Sequence, residues 1–181
     1  MALSHFAHLL ALITDAPTSD APLQGGGNIS TSMEQVFTNG TTSGRIDRSC
    51  SENATIALGA TLSLDVAGGG LKQPDGSPFT ITKLKAIFVR KTGGTGTFRV
   101  ERPAANGVPI FLAASDGTAT FTTTGGGLLL YWPEGITVTA GTGDLISIVE
   151  VGGAAAVEVS YTLLGTSACS CPGGPTNSGS R

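Results

Sequence analysis

Nucleophilic catalysis needs a base beside a Ser, Thr or Cys, and the chain has two histidines that could serve. Both, His5 and His8, lie within the first ten of 181 residues. The rest of the chain therefore holds no imidazole for a Ser-His-Asp or Cys-His arrangement. The pair also lacks the Glu of a zinc-protease motif, and we interpret it as the polar side of a helix.

Carboxylate pairs could instead support glycoside hydrolysis, in which one group acts as the acid and the other as nucleophile or base. Seven acidic residues are candidates: Asp65, Glu101, Asp116, Glu134, Asp144, Glu150 and Glu158. Most of them fall in predicted turns or on the polar face of predicted strands, and we interpret them as solvated charges. The sequence predicts no catalytic constellation and hence no enzyme.

The stretch TTTGGGLLLYWPEG, residues 122–135, places three glycines before the most apolar run of the chain. A phosphate-binding loop needs backbone N–H groups at the start of a helix, usually followed by a Lys and a Ser or Thr. Here a short run ended by Pro133 follows, without a lysine. We interpret the glycines as a turn that enters a strand and residues 133–135 as the turn that leaves it.

The only tryptophan, Trp132, follows Tyr131 in that run. Side chains alternate along a strand, so one ring is expected to face the core and the other the surface. Three roles stay open for Trp132: core filler, subunit contact and sugar-stacking platform. The pair is a candidate for a subunit or partner contact because interfaces are enriched in Tyr and Trp.

The three cysteines, Cys50, Cys169 and Cys171, are too few and too irregularly spaced for a disulfide framework. Cys169 and Cys171 could hold a metal only with ligands from elsewhere in the chain. Unreactive thiols are the favoured interpretation, and a metal site or inter-chain crosslink is the alternative. We therefore predict no cofactor and no metal.

Charge is scarce, because charged residues make up 13% of the chain against about 25% in soluble globular proteins. The formal net charge is −3, which offers no electrostatic footprint for nucleic acid. The surface is rich in small side chains and suits burial against neighbouring chains.

Apolar residues near the N-terminus recur at the spacing of one helical face: Leu3, Phe6, Leu9, Leu10 and Ile13. This spacing predicts an amphipathic helix or docking arm from Leu3 to about Thr14, with Phe6, Leu9, Leu10 and Ile13 as candidate capsid or subunit contacts. No Lys or Arg precedes the segment and it is too short to span a membrane, so we predict neither a signal peptide nor membrane binding. A Pro/Gly linker and an extended arm with one short strand near 33–38 complete a segment of residues 1–50.

The pattern then changes to an apolar residue at every second position in TIALGATLSLDV, residues 55–66, which predicts a strand with one buried face. Similar short runs follow at residues 79–90, 96–101, 108–113, 118–122, 128–132, 136–140, 145–151 and 155–164. Turn residues separate them, as in PDG, SDG and GTGD. Residues 51–168 are therefore predicted to form an all-β domain, an antiparallel β-sandwich of the jelly-roll type, followed by a flexible Pro/Gly/Ser tail at 169–181.

Two long stretches of this domain resemble small virion proteins encoded among the head genes of tailed bacteriophages. The first, residues 60–94, has an LDV strand, a D-G turn and the strand LKAIFVRK. The second, residues 125–168, has a Gly-Gly-apolar strand, a Pro turn, VTAGTGDL and a final YTLLGTS. The resemblance extends from about Gly44 to Ala168. Its motifs are structural rather than catalytic.

The resemblance implies a capsid decoration, or cement, protein: a jelly-roll homotrimer on the outer surface of the virion, bound to the major capsid protein. Its function would be to stabilise the head. The alternative is a receptor- or glycan-binding module of the fibre type, with the same sandwich fold.

Overall fold

The computed structural model describes residues 8–15, 29–111, 118–122, 124–152 and 155–168, and in these ranges all regular structure is β. Twelve strands are present there: β1 His8–Asp15, β2 Ile29–Val36, β3 Thr38–Asn39, β4 Arg45–Ile46, β5 Arg48–Ile56, β6 Thr61–Asp65, β7 Lys83–Gly94, β8 Phe98–Glu101, β9 Thr118–Phe121, β10 Gly127–Thr137, β11 Leu145–Glu150 and β12 Val157–Thr166.

Two four-stranded sheets form the body of the protein. The first sheet has the order β10-β7-β12-β5, and the second has the order β6-β11-β8-β9. Every pairing within both sheets is antiparallel. The prediction of an all-β protein with antiparallel sheets is therefore confirmed, and the arrangement is consistent with a β-sandwich.

One hydrophobic core is built from both sheets. Strand β12 illustrates the alternation that the sequence predicted: Val157, Val159, Tyr161 and Leu163 are buried in this core, whereas Glu158 is exposed. From the second sheet, Phe98 and Ile148 are among the fully buried contributors. Inward-facing residues of two sheets thus share one apolar layer, as the period of two requires.

The alternating stretch at residues 55–66 is two strands rather than the single strand that was expected. β5 ends at Ile56 in the first sheet, and β6 begins at Thr61 in the second. Between them Gly59 has a φ of +67°, and the Ala60 N–H donates to the Ala57 carbonyl over 3.0 Å. Apolar residues of both strands face the same core, whereas Leu58 in the turn between them is 59% exposed.

The predicted turn at Pro133–Gly135 lies inside β10 instead of ending a strand. The register with β7 shifts between Tyr131 and Ile136, so the extra residues form a bulge and pairing resumes beyond them. A bulge accommodates a proline because the ladder hydrogen bonds are already interrupted there. The described part of the expected strand at 108–113, residues 108–111, is not a strand, and Gly107 just before it forms an isolated bridge with Leu145.

The N-terminal segment contains a hairpin in which β1 pairs with β2, from His8 opposite Val36 to Asp15 opposite Ile29. Residues 8–14 of the predicted helix are therefore strand. Pairing with β2 satisfies the backbone of a segment whose apolar residues also fit an extended chain. Residues 1–7, with Phe6, and the predicted tail at 169–181 lie outside the described residues.

Candidate functional site

A second, smaller hydrophobic cluster lies on the face of the first sheet that points away from the core. It consists of Phe37, Ile46, Ala86 and Leu164, with Tyr131 packed against it. Tyr131 and Leu164 both pair with Ala86, so three adjacent strands supply the floor of this cluster. Phe37 and Ile46, which are 3% and 1% exposed, cover it from the N-terminal segment. We call this group the outer cluster.

The segment that covers the outer cluster, Phe37 to Asp47, is a compact turn that we call the clip. Its strands β3 and β4 pair in parallel, and the Gly40 N–H donates to the Ile46 carbonyl over 2.9 Å. The ring of Phe37 meets that of Tyr131 edge-on, with centroids 5.3 Å apart and an interplanar angle of 76°. Such edge-to-face pairs add about 0.5–1.5 kcal/mol beyond the burial of area.

Polar contacts fix the C-terminal end of the clip to the end of β12. The Asp47 N–H donates to the Gly165 carbonyl over 3.2 Å. The Asp47 carboxylate accepts the Ser167 N–H over 2.8 Å and also the Ser167 hydroxyl. Residues 120 positions apart in the chain are thereby joined where β5 begins.

The tip of the clip sits on the β10 bulge and is held there by a buried lysine. The pairing of β7 with β10 and its pairing with β12 both shift register at Lys85. The Lys85 side chain is 1% exposed. Its ammonium donates to the Pro133 carbonyl over 2.7 Å and to the Thr42 carbonyl over 3.4 Å. The Gly44 N–H also donates to the Pro133 carbonyl, over 3.1 Å.

Burial is the main cause that lowers the pKa of Lys85 below its ordinary value. The neighbouring charge of Lys83 lowers this pKa further, and the Glu134 carboxylate acts in the opposite direction. Glu134 itself accepts the Ser43 hydroxyl over 2.5 Å, which adds a second polar link between clip and bulge. The site is thus a buried cation coordinated by carbonyls, an arrangement suited to holding chain segments together.

A second buried lysine lies at the other end of β7. Lys91 is 3% exposed, and its ammonium donates to the Gly96 carbonyl over 2.6 Å and the Thr122 carbonyl over 2.9 Å. It therefore ties the β7–β8 connection to the end of β9. The sequence showed only a short basic cluster at residues 83–91. Nothing in it indicated that Lys85 and Lys91 are buried.

The predicted pair Tyr131-Trp132 is divided between the two faces of the first sheet. Tyr131 belongs to the outer cluster, whereas Trp132 packs against the main core with Leu130 and Ile136. This division follows the expected alternation, and Trp132 is partly buried against the main core. The two rings do not form one flat platform.

Three other predicted contact residues, Leu9, Leu10 and Ile13, lie on β1, opposite Gln35, Glu34 and Thr31. The structure therefore places them on the hairpin, apart from Tyr131 and Trp132 in sequence and in sheet. His8 is the first residue of the same strand.

Several of the acidic residues considered for catalysis hold turns. Asp65 accepts the N–H groups of Ala67 and Gly68 over 3.1 and 2.6 Å. Asp144 accepts the Gly141 N–H, and Glu150 accepts the Gly59 N–H over 2.7 Å.

Asp144 and Glu150 are 5% and 2% exposed, so the interpretation of these two as solvated charges was wrong. Backbone N–H donors compensate for lost hydration. Of the others, Glu101 pairs with Arg99 at 2.7 Å, and Asp116 lies outside the described residues.

The Cys50 thiol is fully buried in the main core. Burial, assisted by the charge of Glu52, raises its pKa to about 11. A protonated thiol of this kind is a poor nucleophile and a poor metal ligand. Among the residues that the structure describes, no group of three or more His, Cys, Asp and Glu could hold a metal ion. Cys169 and Cys171 lie outside them.

An open depression of about 330 Å³ lies where β5, β12 and β7 adjoin. Its lining residues are Asn53, Ala54, Thr55, Thr92, Glu158 and Val159. Glu158 lies across Gly93, where an added Cβ would come within 2.4 Å of its carboxylate oxygen. Four polar side chains thus surround a shallow space.

Comparison with known protein families, with curated proteins and with solved structures gave no match for this chain. Within the described ranges, no helix has the length and apolar character needed to cross a membrane.

Proposed function

We propose that the chain is a structural virion protein of a tailed bacteriophage, a cement protein on the outer surface of the capsid. In this proposal it is not an enzyme, uses no cofactor, binds the major capsid protein as a homotrimer, and stabilises the head. The resemblance of residues 44–168 to phage head proteins motivates the proposal.

The order of strand pairing supports a jelly roll, the fold that this assignment implies. In a jelly roll, eight strands pair from the ends inward and are wound into two sheets. Here β5 pairs with β12, β6 with β11, β7 with β10, and β8 with β9. The pairs fall into the two sheets as the winding requires.

The observation that carries the functional proposal is the β1–β2 hairpin. It pairs with neither sheet among the described residues. A two-stranded hairpin alone is marginal in water, so a segment of this kind needs a further surface on which to pack. A neighbouring capsid chain would supply that surface, and the hairpin would then act as an arm.

The low content of charged residues is compatible with the same role. Charged residues make up 13% of the chain, so broad contact with neighbours costs little desolvation of charge. Several modest contacts in a trimer would act together, and avidity would then exceed the affinity of any single arm.

The test uses capsids of the phage that carries the gene, assembled without this protein. The full chain and a chain that begins at Phe37 are added, and bound protein is measured by sedimentation and located by cryo-electron microscopy. We expect the full chain to appear in many copies on the outer surface and the shortened chain to bind about tenfold more weakly or worse.

A chain that ends at Ala168 is the control for loss of a terminal segment as such. Circular dichroism must show that both shortened chains keep their β-structure. Absence of the full chain from the head surface would contradict the proposal, and its presence at a tail tip would favour a receptor-binding role.

The depression beside Glu158 favours glycan binding as the second candidate function. A carboxylate, an amide and two hydroxyls at Asn53, Thr55, Thr92 and Glu158 could exchange hydrogen bonds with vicinal sugar hydroxyls. A glycan array with the full chain would test this candidate. A signal that Glu158→Gln removes and Glu134→Gln keeps would support it, and an empty array would exclude the glycans tested.

A further inference from the structure

The clip is joined to its neighbouring elements without spare residues. β2 ends at Val36, and the next residue, Phe37, is already buried in the outer cluster. At the other end, Asp47 alone separates β4 from β5. The hairpin is thus attached directly to a residue that is packed on the first sheet.

The clip must occupy the outer cluster of its own chain. Exchange between two copies requires a hinge long enough to span them, and the single residue Asp47 offers no such length. Asp47 is also bonded to Gly165 and Ser167 at the end of β12. Within the segment that precedes β5, it is therefore the part before Phe37 that can extend to another molecule.

Apolar and polar contacts together fix the point at which the hairpin leaves the domain. Phe37 packs against Tyr131, and the buried Lys85 side chain contacts the Thr42 carbonyl at the tip of the clip and the Pro133 carbonyl of the β10 bulge. The first contact is made at the start of the clip, and the second is made at its tip. A segment held at two separated places has a defined direction as well as a defined origin.

We propose that the clip is a positioning element that orients the β1–β2 hairpin, with Phe37 as the main positioning residue. This inference rests on the proposed function, in which the hairpin binds the capsid. Each copy then presents its arm in one direction, and capsid binding avoids the entropy cost of restraining a freely jointed arm.

The decisive variant inserts Gly-Ser-Gly between Val36 and Phe37. It leaves every contact of the clip in place and adds a flexible joint with a reach of about 10 Å. The same three residues inserted between Ala104 and Ala105 serve as the matched control, because both residues are exposed and lie in the turn that follows β8.

Double electron–electron resonance measures the distribution of distances between two spin labels, and it reports how well the direction of the hairpin is defined in the absence of the capsid. Labels are placed at Ser32→Cys on β2 and Ser63→Cys on β6, with Cys169 and Cys171 replaced by Ser. Cys50 stays unlabelled because it is fully buried. We expect a narrow distance distribution in the parent and in the control. In the variant with Gly-Ser-Gly between Val36 and Phe37, which we call the joint variant, the distribution should be about twice as wide or more.

Capsid binding of the same three proteins tests the consequence. The joint variant should bind about tenfold more weakly than the parent and the control, with an unchanged melting temperature. Phe37→Ala should broaden the distance distribution as the joint does, and Phe37→Leu should restore much of the narrow distribution. If Phe37→Ala fails to fold, the joint variant still decides the question.

The outcomes separate this inference from the proposed function. A joint variant with a distribution as narrow as that of the parent would overturn the positioning role. A broad distribution with unchanged capsid affinity would show that arm direction does not matter, and would overturn the inference as well. If the parent itself does not bind capsids, the proposed function fails, whereas the distance measurement still reports whether the clip orients the hairpin.

Discussion

Replacement of Lys85 by Met and by Ala separates two ways in which this residue could hold the clip. In the first, the side chain acts by volume, filling space between the clip and the β10 bulge. In the second, its ammonium acts by the hydrogen bonds to Pro133 and Thr42. The structure favours volume, because both carbonyls have a second donor: Gly44 N–H for Pro133 at 3.1 Å and Arg45 N–H for Thr42 at 3.2 Å.

The expected magnitudes follow from that geometry. Lys85→Met keeps most of the side-chain volume and removes a buried charge, so we expect a change in the free energy of unfolding within about 1 kcal/mol. Lys85→Ala leaves a cavity, and we expect a loss of about 2–4 kcal/mol. For a protein of this size, each kcal/mol corresponds to a shift in melting temperature of about 2–4 °C.

Urea denaturation at neutral pH, followed by the fluorescence of Trp132, measures both variants. The pH dependence of the free energy of unfolding provides a second measurement. The pKa of Lys85 is lowered in the folded state, so the unfolded chain binds more protons below the ordinary lysine pKa. The Lys85 contribution to the stability of the parent should therefore rise with pH as the folded-state Lys85 loses its proton, so the stability of the parent relative to Lys85→Met should increase.

Equal destabilisation by Met and Ala would refute the reasoning, since it would mean that the ammonium hydrogen bonds hold the clip. A parent stability that does not respond to pH in the alkaline range relative to Lys85→Met would contradict the assigned effect of burial on the lysine charge.

Two further predictions concern the β10 bulge and the core thiol. Gly135 has a φ of +77°, and a Cβ there would lie 3.0 Å from Lys83 Cβ, so Gly135→Ala should cost about 1–3 kcal/mol by thermal unfolding. Gly141 has a similar φ of +75° with nothing within 4 Å, so Gly141→Ala should cost less, and an equal cost would contradict the crowding argument. Because burial raises the pKa of Cys50 from 9.0 to about 11, the Cys50 contribution to the stability of the parent should fall by about 2 kcal/mol as pH rises from 9 to 11. Cys50→Ala should lack that part of the alkaline loss, and an identical pH profile would show that Cys50 is not its source.

Much of the fold was predictable from the sequence, because a strand with one buried face has an apolar residue at every second position. In β12 this alternation is sufficient to predict that Tyr161 is buried and Glu158 is exposed. The alternation of Tyr131 and Trp132 was predictable for the same reason. The pattern reports which face is buried, and it does not report which sheet a strand belongs to.

That limit explains where sequence and structure differ. Residues 55–66 alternate without interruption although β5 and β6 lie in different sheets, because one core serves both. The bulge at Pro133 was interpreted as a turn because proline and glycine serve both features. Lys85 and Lys91 gave no sign of burial, since their partners are backbone carbonyls, which no residue type encodes.

The outer cluster was also hidden from sequence analysis. Phe37 and Ile46 lie in a polar stretch with no period, and their partners Ala86 and Leu164 are separated from them by dozens of residues. Only the pairing of β10, β7 and β12 brings these positions together. Apolar residues inside an irregular segment are thus the signal that could have indicated an anchored turn.

The adjacency of the two ends of the sandwich has a mechanical consequence. Arg48 at the start of β5 pairs with Gly165 at the end of β12, so tension applied directly between these two strand ends would break the hydrogen bonds of this ladder one at a time. Unzipping in this geometry resists little force. Tension applied through the hairpin alone meets the clip first, where the Phe37 packing and the Asp47–Ser167 bonds must yield together. The clip thus lies between a load on the hairpin and the β5–β12 ladder.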